Sequence, residues 1–516
     1  KVTSIGQFFL FNFSCSDFPP QGCGRTGSHV MHCGSKLVPD DKRNPCCGQN
    51  LMSNPGKTIP RHFVAGTFVA VAGLGYAAFG PVPEGWSGEV IEAAGLTIAA
   101  IAMLASGVLP IGLTAIAYFL LATLFAIQPA TVIFSGFQAG ATWLVFGGLV
   151  IGVSVGHTGL GKRLAESSIS RIGGSYLSVL AAIATAAIVL SFLIPSAMGR
   201  SVLMVPVLIS IAERMGFGPG SRGRNGMIIV AALVSFSAGG TILSAHLPGL
   251  IMAGAAETLY GIQVTYAGYL AAAFPVLGLL RAAMIVLIAW WLFHDTPEPG
   301  SNTAPDYGPF NKGERMLGLI LVGALALWFT DSLHGVSAAW VSLAAGVVLL
   351  IPGLGLVPPN SLNERLDYGS FFYTAAVVSM GAVIAGSGLA GKAGDGLVQI
   401  YPMWLEADWA RMYLLTSAQA LLGPLVTNPG IPAVLSPLAG QLAEITGLPV
   451  KAILFSQVFA FTNVIVPYHA APYIVALTMA GVSLGAGARM AIVTTLAAVV
   501  ILVPLQLLWW HLTGLF

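Results

Sequence analysis

Long apolar segments recur along almost the whole chain. A helix that crosses a bilayer needs about 20 mainly apolar residues, and windows of this kind recur roughly eleven times with short connections between them. Hydrophobic residues make up 56% of the sequence and charged residues only 8%, which leaves too few polar side chains to cover a soluble globule of 516 residues. The sequence therefore predicts an all-α polytopic membrane protein whose surroundings are the lipid bilayer.

The charged residues and the cysteines limit the other classes. The net charge is only +2, and the basic residues lie in short loops rather than in one stripe, which gives no indication of a nucleic-acid partner. All five cysteines lie in the first fifty residues, a polar stretch typical of disorder. A zinc or disulfide module is an alternative there, although the odd count and the spacings fit no usual ligand pattern. We expect residues 1–61 to be a disordered or artefactual N-terminal extension and lead-in.

The apolar segments form two similar halves. A polar linker at 295–315 separates residues 62–294, interpreted as a first transmembrane helix plus repeat 1, from residues 316–516, interpreted as repeat 2. The stretch Thr158-Gly-Leu-Gly-Lys162 is answered by Ser387-Gly-Leu-Ala-Gly-Lys392, and the broken segment Ser196–Pro206 by Thr427–Pro437. Both offsets are about 230 positions, which indicates an internal duplication.

Each half is predicted to hold five transmembrane helices plus one re-entrant hairpin, with one extra helix at the N-terminal side. Because five crossings reverse the direction of the chain, the two repeats are predicted to be inverted relative to each other. Basic residues flank the first hairpin and acidic residues are frequent beside the second, so the positive-inside rule places the first hairpin on the cytoplasmic side and the second outside. Interrupted helices at this depth line a cavity, and their N-termini suit a carboxylate or a sulfate.

These motifs, together with Ala326-Leu-Trp-Phe-Thr-Asp331 at the start of the second half, resemble the divalent anion/sodium symporter family of dicarboxylate, citrate and sulfate carriers. The resemblance covers nearly all of residues 62–514. It implies a homodimer in the cell inner membrane, in which each protomer has a scaffold part and a moving transport part. It also implies secondary active transport of a small di- or tricarboxylate, sulfate or sulfonate by alternating access, with sodium or protons as the coupling ion and no other cofactor or metal.

The same resemblance implies where the substrate binds. The family's hairpin tips usually read Ser-Asn-Thr and hold the substrate beside the sodium sites, whereas this chain has Ser196-Ala197-Met198 and Thr427-Asn428-Pro429. We therefore expect weak or altered sodium dependence. The candidate substrate-binding residues are Ser196, Ala197, Arg200, His246, Thr427, Asn428 and His469. The candidate ion-binding or clamp-loop residues on the broken helices are Gly239, Gly240, Thr241, Pro248, Pro467 and Pro472.

Arg200 is predicted to be the principal anion ligand, because an arginine at midplane depth is costly unless it faces water, a partner or a ligand, and its bidentate guanidinium suits an anion. The alternative is a structural ion pair or a side chain that snorkels to the interface. His246 and His469 are predicted to donate to the substrate or to carry a proton, with a helix-packing hydrogen bond as the alternative. Arg281, inside a span, is interpreted as a snorkelling or packing residue.

Two other functions compete with a carrier. Gly152-Val-Ser-Val-Gly156 spells a nucleophile elbow and would make the protein an intramembrane serine hydrolase, but the elbow needs a strand-to-helix turn and this stretch is predicted to be a continuous helix. An anion channel is the second alternative, since re-entrant hairpins also build pores. The chain shows no ring of acidic residues or repeated carbonyl filter, and its twofold duplication favours alternating access. We therefore expect a transporter and not an enzyme.

Overall fold

The computed structural model describes residues 61–170, 175–297, 308–400, 406–426 and 428–516. Residues Ala65–Phe516 form one compact unit. In the described ranges the regular structure is helical, with no β-strand, which confirms the all-α class. The predicted N-terminal extension and its cysteines lie outside the described residues.

The described part of the first half consists of twelve α-helices. They are α1 (Arg61–Phe79), α2 (Gly88–Ser106), α3 (Ile111–Leu124), α4 (Ala130–Ile133), α5 (Gly140–Thr158), α6 (Leu160–Ser170), α7 (Tyr176–Leu193), α8 (Ala197–Arg214), α9 (Arg222–Gly239), α10 (Leu247–Tyr260), α11 (Tyr266–Ala273) and α12 (Arg281–Leu292). Short 3-10 turns lie at Ser135–Phe137 and Leu243–Ala245, and a π-helical segment at Phe274–Leu280 joins α11 to α12.

The described part of the second half consists of fourteen α-helices. They are α13 (Lys312–Phe329), α14 (Asp331–His334), α15 (Ala338–Leu350), α16 (Ser361–Glu364), α17 (Tyr368–Gly386), α18 (Leu389–Ile400), α19 (Asp408–Ala420), α20 (Gly423–Val426), α21 (Gly430–Leu435), α22 (Ala439–Thr446), α23 (Val450–Thr462), α24 (Ala471–Met479), α25 (Leu484–Ala497) and α26 (Val503–Leu512). Here 3-10 turns lie at Ser436–Leu438 and Pro467–His469, and a π-helical segment at Ala498–Leu502 joins α25 to α26.

The order of elements in the second half follows that in the first. Each half has a hairpin (α7–α8, then α19–α22), a broken helix (α9/α10, then α23/α24) and a final span interrupted by a π segment (α11–α12, then α25–α26). Among the described residues, six helices are long and apolar enough to cross a membrane, and four shorter apolar helices accompany them. The protein is therefore polytopic, while the inversion of the repeats stays a prediction.

One apolar segment differs from its expected extent. The sequence suggests a single apolar run over 112–134, but α3 ends at Leu124 and a separate short helix, α4, begins after Pro129. Between them Ala126 has a φ of 48°, in the left-handed region that stops a helix. Pro129 also disfavours helical backbone at the residue before it. The apolar run therefore continues past the residue at which α3 must end.

Glycines bring the helices of the two halves into close contact. A β-carbon placed on Gly147 of α5 would lie 2.3 Å from the carbonyl oxygen of Ser342 on α15, and one on Gly112 of α3 would lie 2.7 Å from Gly369 Cα on α17. Small residues allow such backbone approach in membrane helices. Since α5 matches α17 and α3 matches α15 in the duplication, the two contacts are equivalent, and together they join the halves.

The final spans of the two halves are also joined. Pro275 has no N–H, so the carbonyl of Ala271 four residues earlier has no helical donor. Trp509 Nε1 of α26 donates to this carbonyl at 2.8 Å, and Gln506 Nε2 donates to the carbonyl of Ala272 at 2.8 Å. The carbonyl groups beside the helix interruption in the first half are therefore hydrogen-bonded by side chains of the second half.

We predict that the two hairpins are reached from opposite sides of the membrane. In a variant whose five native cysteines are replaced by serine, Arg222→Cys should react with an impermeant maleimide only from the cytoplasm and Asp408→Cys only from outside. Both positions are exposed. The side of the membrane on which the reagent is added, rather than burial of the cysteine, therefore decides whether it reacts. Reaction of both cysteines from the same side would rule out inverted repeats.

Candidate functional site

The two hairpins pack against the broken helices of the opposite half. The returning arm of the first hairpin, α8, contacts α24 of the second half, and α10 of the first half contacts α21 in the second hairpin. The arm α8 also contacts α9, and α23 contacts α19 and α22. Hairpins and broken helices thus form one interlocked group, which is the arrangement that the duplication predicts.

The tip of the first hairpin presents the start of a long helix. Ser196 is the N-cap of α8, and its side chain accepts a hydrogen bond from the backbone N–H of Gly199 at 3.1 Å. Ser196 is exposed and Ala197 partly buried. The first N–H groups of a helix have no partner within it and carry partial positive charge, so this tip favours an anion.

Arg200 lies one turn further along α8 and is fully buried, with 0% exposure. Its Nε donates to Ser235 Oγ at 2.9 Å and its Nη2 to the Ser235 carbonyl at 2.9 Å. Its Nη1 donates to the carbonyls of Ile194 at 2.5 Å and Ala245 at 3.3 Å. Arg200 thus connects the hairpin tip to both sides of the first helix break.

No carboxylate among the described residues forms an ion pair with Arg200. The structural ion pair considered as an alternative is therefore absent from that part of the chain, and the buried side chain does not snorkel. The role of Arg200 as an anion ligand stays a prediction. Four of its five N–H groups already bond to protein oxygens, and the fifth is on Nη2.

The first break runs from the end of α9 to the start of α10. Gly239 and Gly240 end α9, Thr241 Oγ1 donates back to the Ala238 carbonyl at 2.7 Å, and Pro248 lies in the first turn of α10. The carbonyl of Gly240 accepts a hydrogen bond from Tyr269 Oη at 2.6 Å. His246 precedes α10, and its buried Nδ1 has no partner.

The tip of the second hairpin holds a buried amide without partners. Asn428 is 2% exposed, and neither its Oδ1 nor its Nδ2 forms a hydrogen bond within the part of the chain that the structure describes. Its neighbour Thr427, also a predicted ligand, lies outside the described residues. An unpaired buried amide is costly, so Asn428 is a candidate ligand group at the tip of this hairpin.

The second break brings a histidine against the same hairpin. His469 ends the 3-10 turn that Pro467 begins, and Pro472 lies in the first turn of α24. The Nδ1 of His469 accepts a hydrogen bond from the backbone N–H of Ile465 at 3.4 Å. The buried Nε2 of His469 has no partner among the described residues. A β-carbon on Gly423 of α20 would lie 2.0 Å from this Nε2, so the imidazole covers the arm of the hairpin just before its tip.

The two breaks touch each other. A β-carbon on Gly240 would lie 2.3 Å from Thr462 Cγ2, and the rings of His246 and Phe461 stack with centroids 6.1 Å apart. The structure therefore brings together Arg200 with the first break, His469 with the second hairpin, and the two breaks with each other.

Sequence reasoning did not connect several residues to the breaks, although it interpreted Arg281 as a snorkelling or packing residue. Arg281 of α12 is 3% exposed and does not snorkel; it bonds to Thr462 Oγ1 at 3.2 Å and to Asn463 Oδ1 at the second break. Thr495 Oγ1 of α25 also bonds to Asn463 Oδ1, at 3.2 Å. The position of Arg281 inside an apolar span was the available signal, but nothing local indicated its partner.

The nucleophile-elbow pattern lies inside a continuous helix. Residues Gly140–Thr158 form α5 without interruption, and Ser154 is fully buried within it. The strand-to-helix turn that the hydrolase alternative needs is therefore missing at this position.

Two helical hairpins and two helices broken beside buried polar groups are the architecture of secondary transporters. The model of the sodium:sulfate symporter transmembrane region matches residues 62–516, so the chain belongs to the sodium:sulfate symporter family. It is a protein of the inner membrane with several membrane spans.

Curated relatives are similar over part of their length. A membrane protein of Cupriavidus necator is 26% identical over 60% of this chain and 64% of its own length. The inner membrane protein YbhI of Escherichia coli is 22% identical over 49% of this chain and 55% of its own. The L-tartrate/succinate antiporter of Escherichia coli is 22% identical over 66% of this chain and 72% of its own. The chain thus spans less than two thirds of the length of the first two.

We predict that Gly239→Ala destabilises the protein, because a β-carbon there would lie 2.3 Å from Arg200 Nη2 and displace the guanidinium. The cost of such overpacking is about 1–3 kcal/mol, seen as a lower melting temperature in detergent. Gly152→Ala on α5 is the matched control, since a β-carbon there meets nothing within 4 Å. Equal melting temperatures for the two variants would contradict the described position of Arg200.

Proposed function

We propose that this protein carries a small dicarboxylate-type anion across the inner membrane by alternating access, with the anion held between the two hairpin tips. The observation that carries the proposal is the buried side-chain amide of Asn428 with both polar atoms unpaired. The similar Escherichia coli protein is named for two dicarboxylates, L-tartrate and succinate, which supports this substrate class.

The second hairpin supplies neutral donors for the anion. Asn428 Nδ2 and His469 Nε2 are buried nitrogens without partners, the first at the hairpin tip and the second against its arm. A carboxylate that accepts hydrogen bonds from both would remove the cost of leaving them unpaired. Asn428 Oδ1 is an acceptor, so it suits a substrate hydroxyl or a cation. Thr427 is proposed to complete this side of the shell.

The first hairpin supplies positive charge. The N-terminus of α8 at Ala197 and the guanidinium of Arg200 lie in the same turn of helix, and no carboxylate of the described residues pairs with that guanidinium. A buried unpaired cation attracts an anion strongly, because the medium around it screens little. We propose that Arg200 acts through its charge and its remaining N–H, while its other N–H groups hold the first break in place.

Alternating access is proposed from the interlocked hairpins and breaks. Because α8 packs on α24 and α10 on α21, both hairpins must move with the broken helices as one group. The glycine contacts of α5 with α15 and of α3 with α17 would then belong to the static scaffold. A homodimer, as the family resemblance implies, would hold two such scaffolds together.

We predict that Asn428→Ala weakens substrate binding without destabilising the protein, since the lost amide forms no bond within it. A hydrogen bond to a charged group contributes about 1.5–3 kcal/mol, so the affinity should fall roughly 10- to 150-fold. Thermal-shift titrations of purified protein with succinate, L-tartrate, citrate and sulfate measure affinity and melting temperature together. The exposed Asn363 provides the control Asn363→Ala.

Arg200→Gln belongs in the same titration. A direct or electrostatic role in binding lowers the affinity by a similar factor, and Arg200→Lys should restore it only in part. A purely structural role lowers the melting temperature and leaves the affinity of the surviving protein unchanged. Counterflow of labelled substrate in proteoliposomes then separates a carrier from a channel, because only a carrier exchanges substrate across the membrane against its own gradient.

Proton coupling, if it occurs, is proposed to use the histidines of the breaks. His469→Gln keeps a nitrogen donor near Gly423 but cannot take up a proton, so it should flatten the dependence of uptake on external pH. His511, an exposed histidine at the end of α26, gives the control variant His511→Gln. An unchanged pH profile in His469→Gln and in His246→Gln would exclude both as the proton carrier.

A further inference from the structure

The second helix break is occupied by a guanidinium from the other half of the chain. Arg281 lies near the middle of the candidate span Tyr266–Leu292 and is 3% exposed. Its Nη1 donates to Thr462 Oγ1 at 3.2 Å and its Nη2 donates to Asn463 Oδ1. Its Cζ lies 5.6 Å from the centre of the Phe459 ring.

The oxygens around Arg281 lie where α23 ends. Thr462 is the last residue of α23 and Asn463 is its C-cap. A helix carries partial negative charge at its C-terminus, and in transporters the C-terminal ends of half-helices and unwound carbonyls coordinate the coupling cation. Thr495 Oγ1 bonds to Asn463 Oδ1 at 3.2 Å and to the Val464 carbonyl at 3.0 Å, which completes a group of hydroxyl, amide and carbonyl oxygens, the ligands that a hard cation prefers.

Hydrogen bonding alone does not explain a charged residue here. A neutral side chain could make the same two bonds without burying a charge, and an arginine at the centre of a span costs several kcal/mol. Within the described ranges no carboxylate pairs with Arg281. The groups that the structure places against the charge are the end of α23 and its hydroxyl and amide oxygens.

We propose that the guanidinium of Arg281 is a built-in cation that takes the place of a coupling sodium ion at the second helix break. The break then keeps its cation throughout the transport cycle, and the anion crosses without sodium bound there. The role of this site in coupling rests on the proposed function. Whether a cation occupies the site can be tested without any substrate. Exchange of one anion for another, as in the antiporter relative, needs no cation to be carried with the substrate.

The test removes the attached cation and supplies a free one. Arg281→Ala should gain a sodium response that the wild type lacks: its melting temperature should rise by at least about 2 °C when choline chloride is replaced by 200 mM sodium chloride. Guanidinium chloride at low millimolar concentration should raise it as well. Arg489→Ala, which removes an exposed arginine from α25, is the matched control and should show neither response.

Transport gives the second readout. Exchange by Arg281→Ala in sodium-free proteoliposomes should fall roughly ten-fold or more and recover with sodium or guanidinium, while the wild type is unaffected by either. A response of Arg281→Ala to neither cation, in stability and in exchange, would overturn the proposal. Recovery of the melting temperature in a protein that exchanges no anion would support the cation site and count against the proposed function instead.

Arg281→Lys keeps the inference testable should the alanine variant not fold in any salt. A lysine is also an attached cation, although it has a different shape. The proposal expects Arg281→Lys to exchange anions without sodium at a rate within about three-fold of the wild type. If only the two specific bonds of arginine matter, the lysine variant loses stability and exchange as the alanine variant does, and the proposal fails.

Discussion

Backbone groups exposed by helix breaks are the constraint on which this structure depends. In a bilayer no water is available to pair them, so the protein must do so itself. Arg200 bonds to carbonyls on both sides of the first break, Thr495 bonds to a carbonyl of the second, and Trp509 bonds to the carbonyl that Pro275 leaves free. In each case the donor comes from another element, so the breaks also determine which elements must stay together.

The same constraint joins the two halves of the chain. Arg281 of the first half reaches the second break, and Gln506 of the second half reaches a carbonyl of the first. The glycine-mediated contacts of α5 with α15 and of α3 with α17 add a backbone-to-backbone join. The two parts have the same order of elements, and polar groups that one part exposes are paired by the other.

Much of this architecture could be predicted from the sequence, since hydropathy and proline or glycine interruptions are local signals. The spans, the two halves, both hairpins and both breaks were identified in this way. The partners at the breaks were not, because Arg281 and Thr462 are 181 positions apart and no local pattern links them. Arg200 was recognised as important for its charge in an apolar segment, whereas its bonds to Ser235 and Ala245 depend on packing that only the folded chain provides.

Because Gly239 lies so close to Arg200, the residue type at one position limits the residue types that the other can tolerate. While the arginine is present, a larger residue at 239 meets its Nη2, and once the arginine is lost the reason for glycine at that place disappears. Substitution at one site therefore changes which substitutions are tolerated at the other.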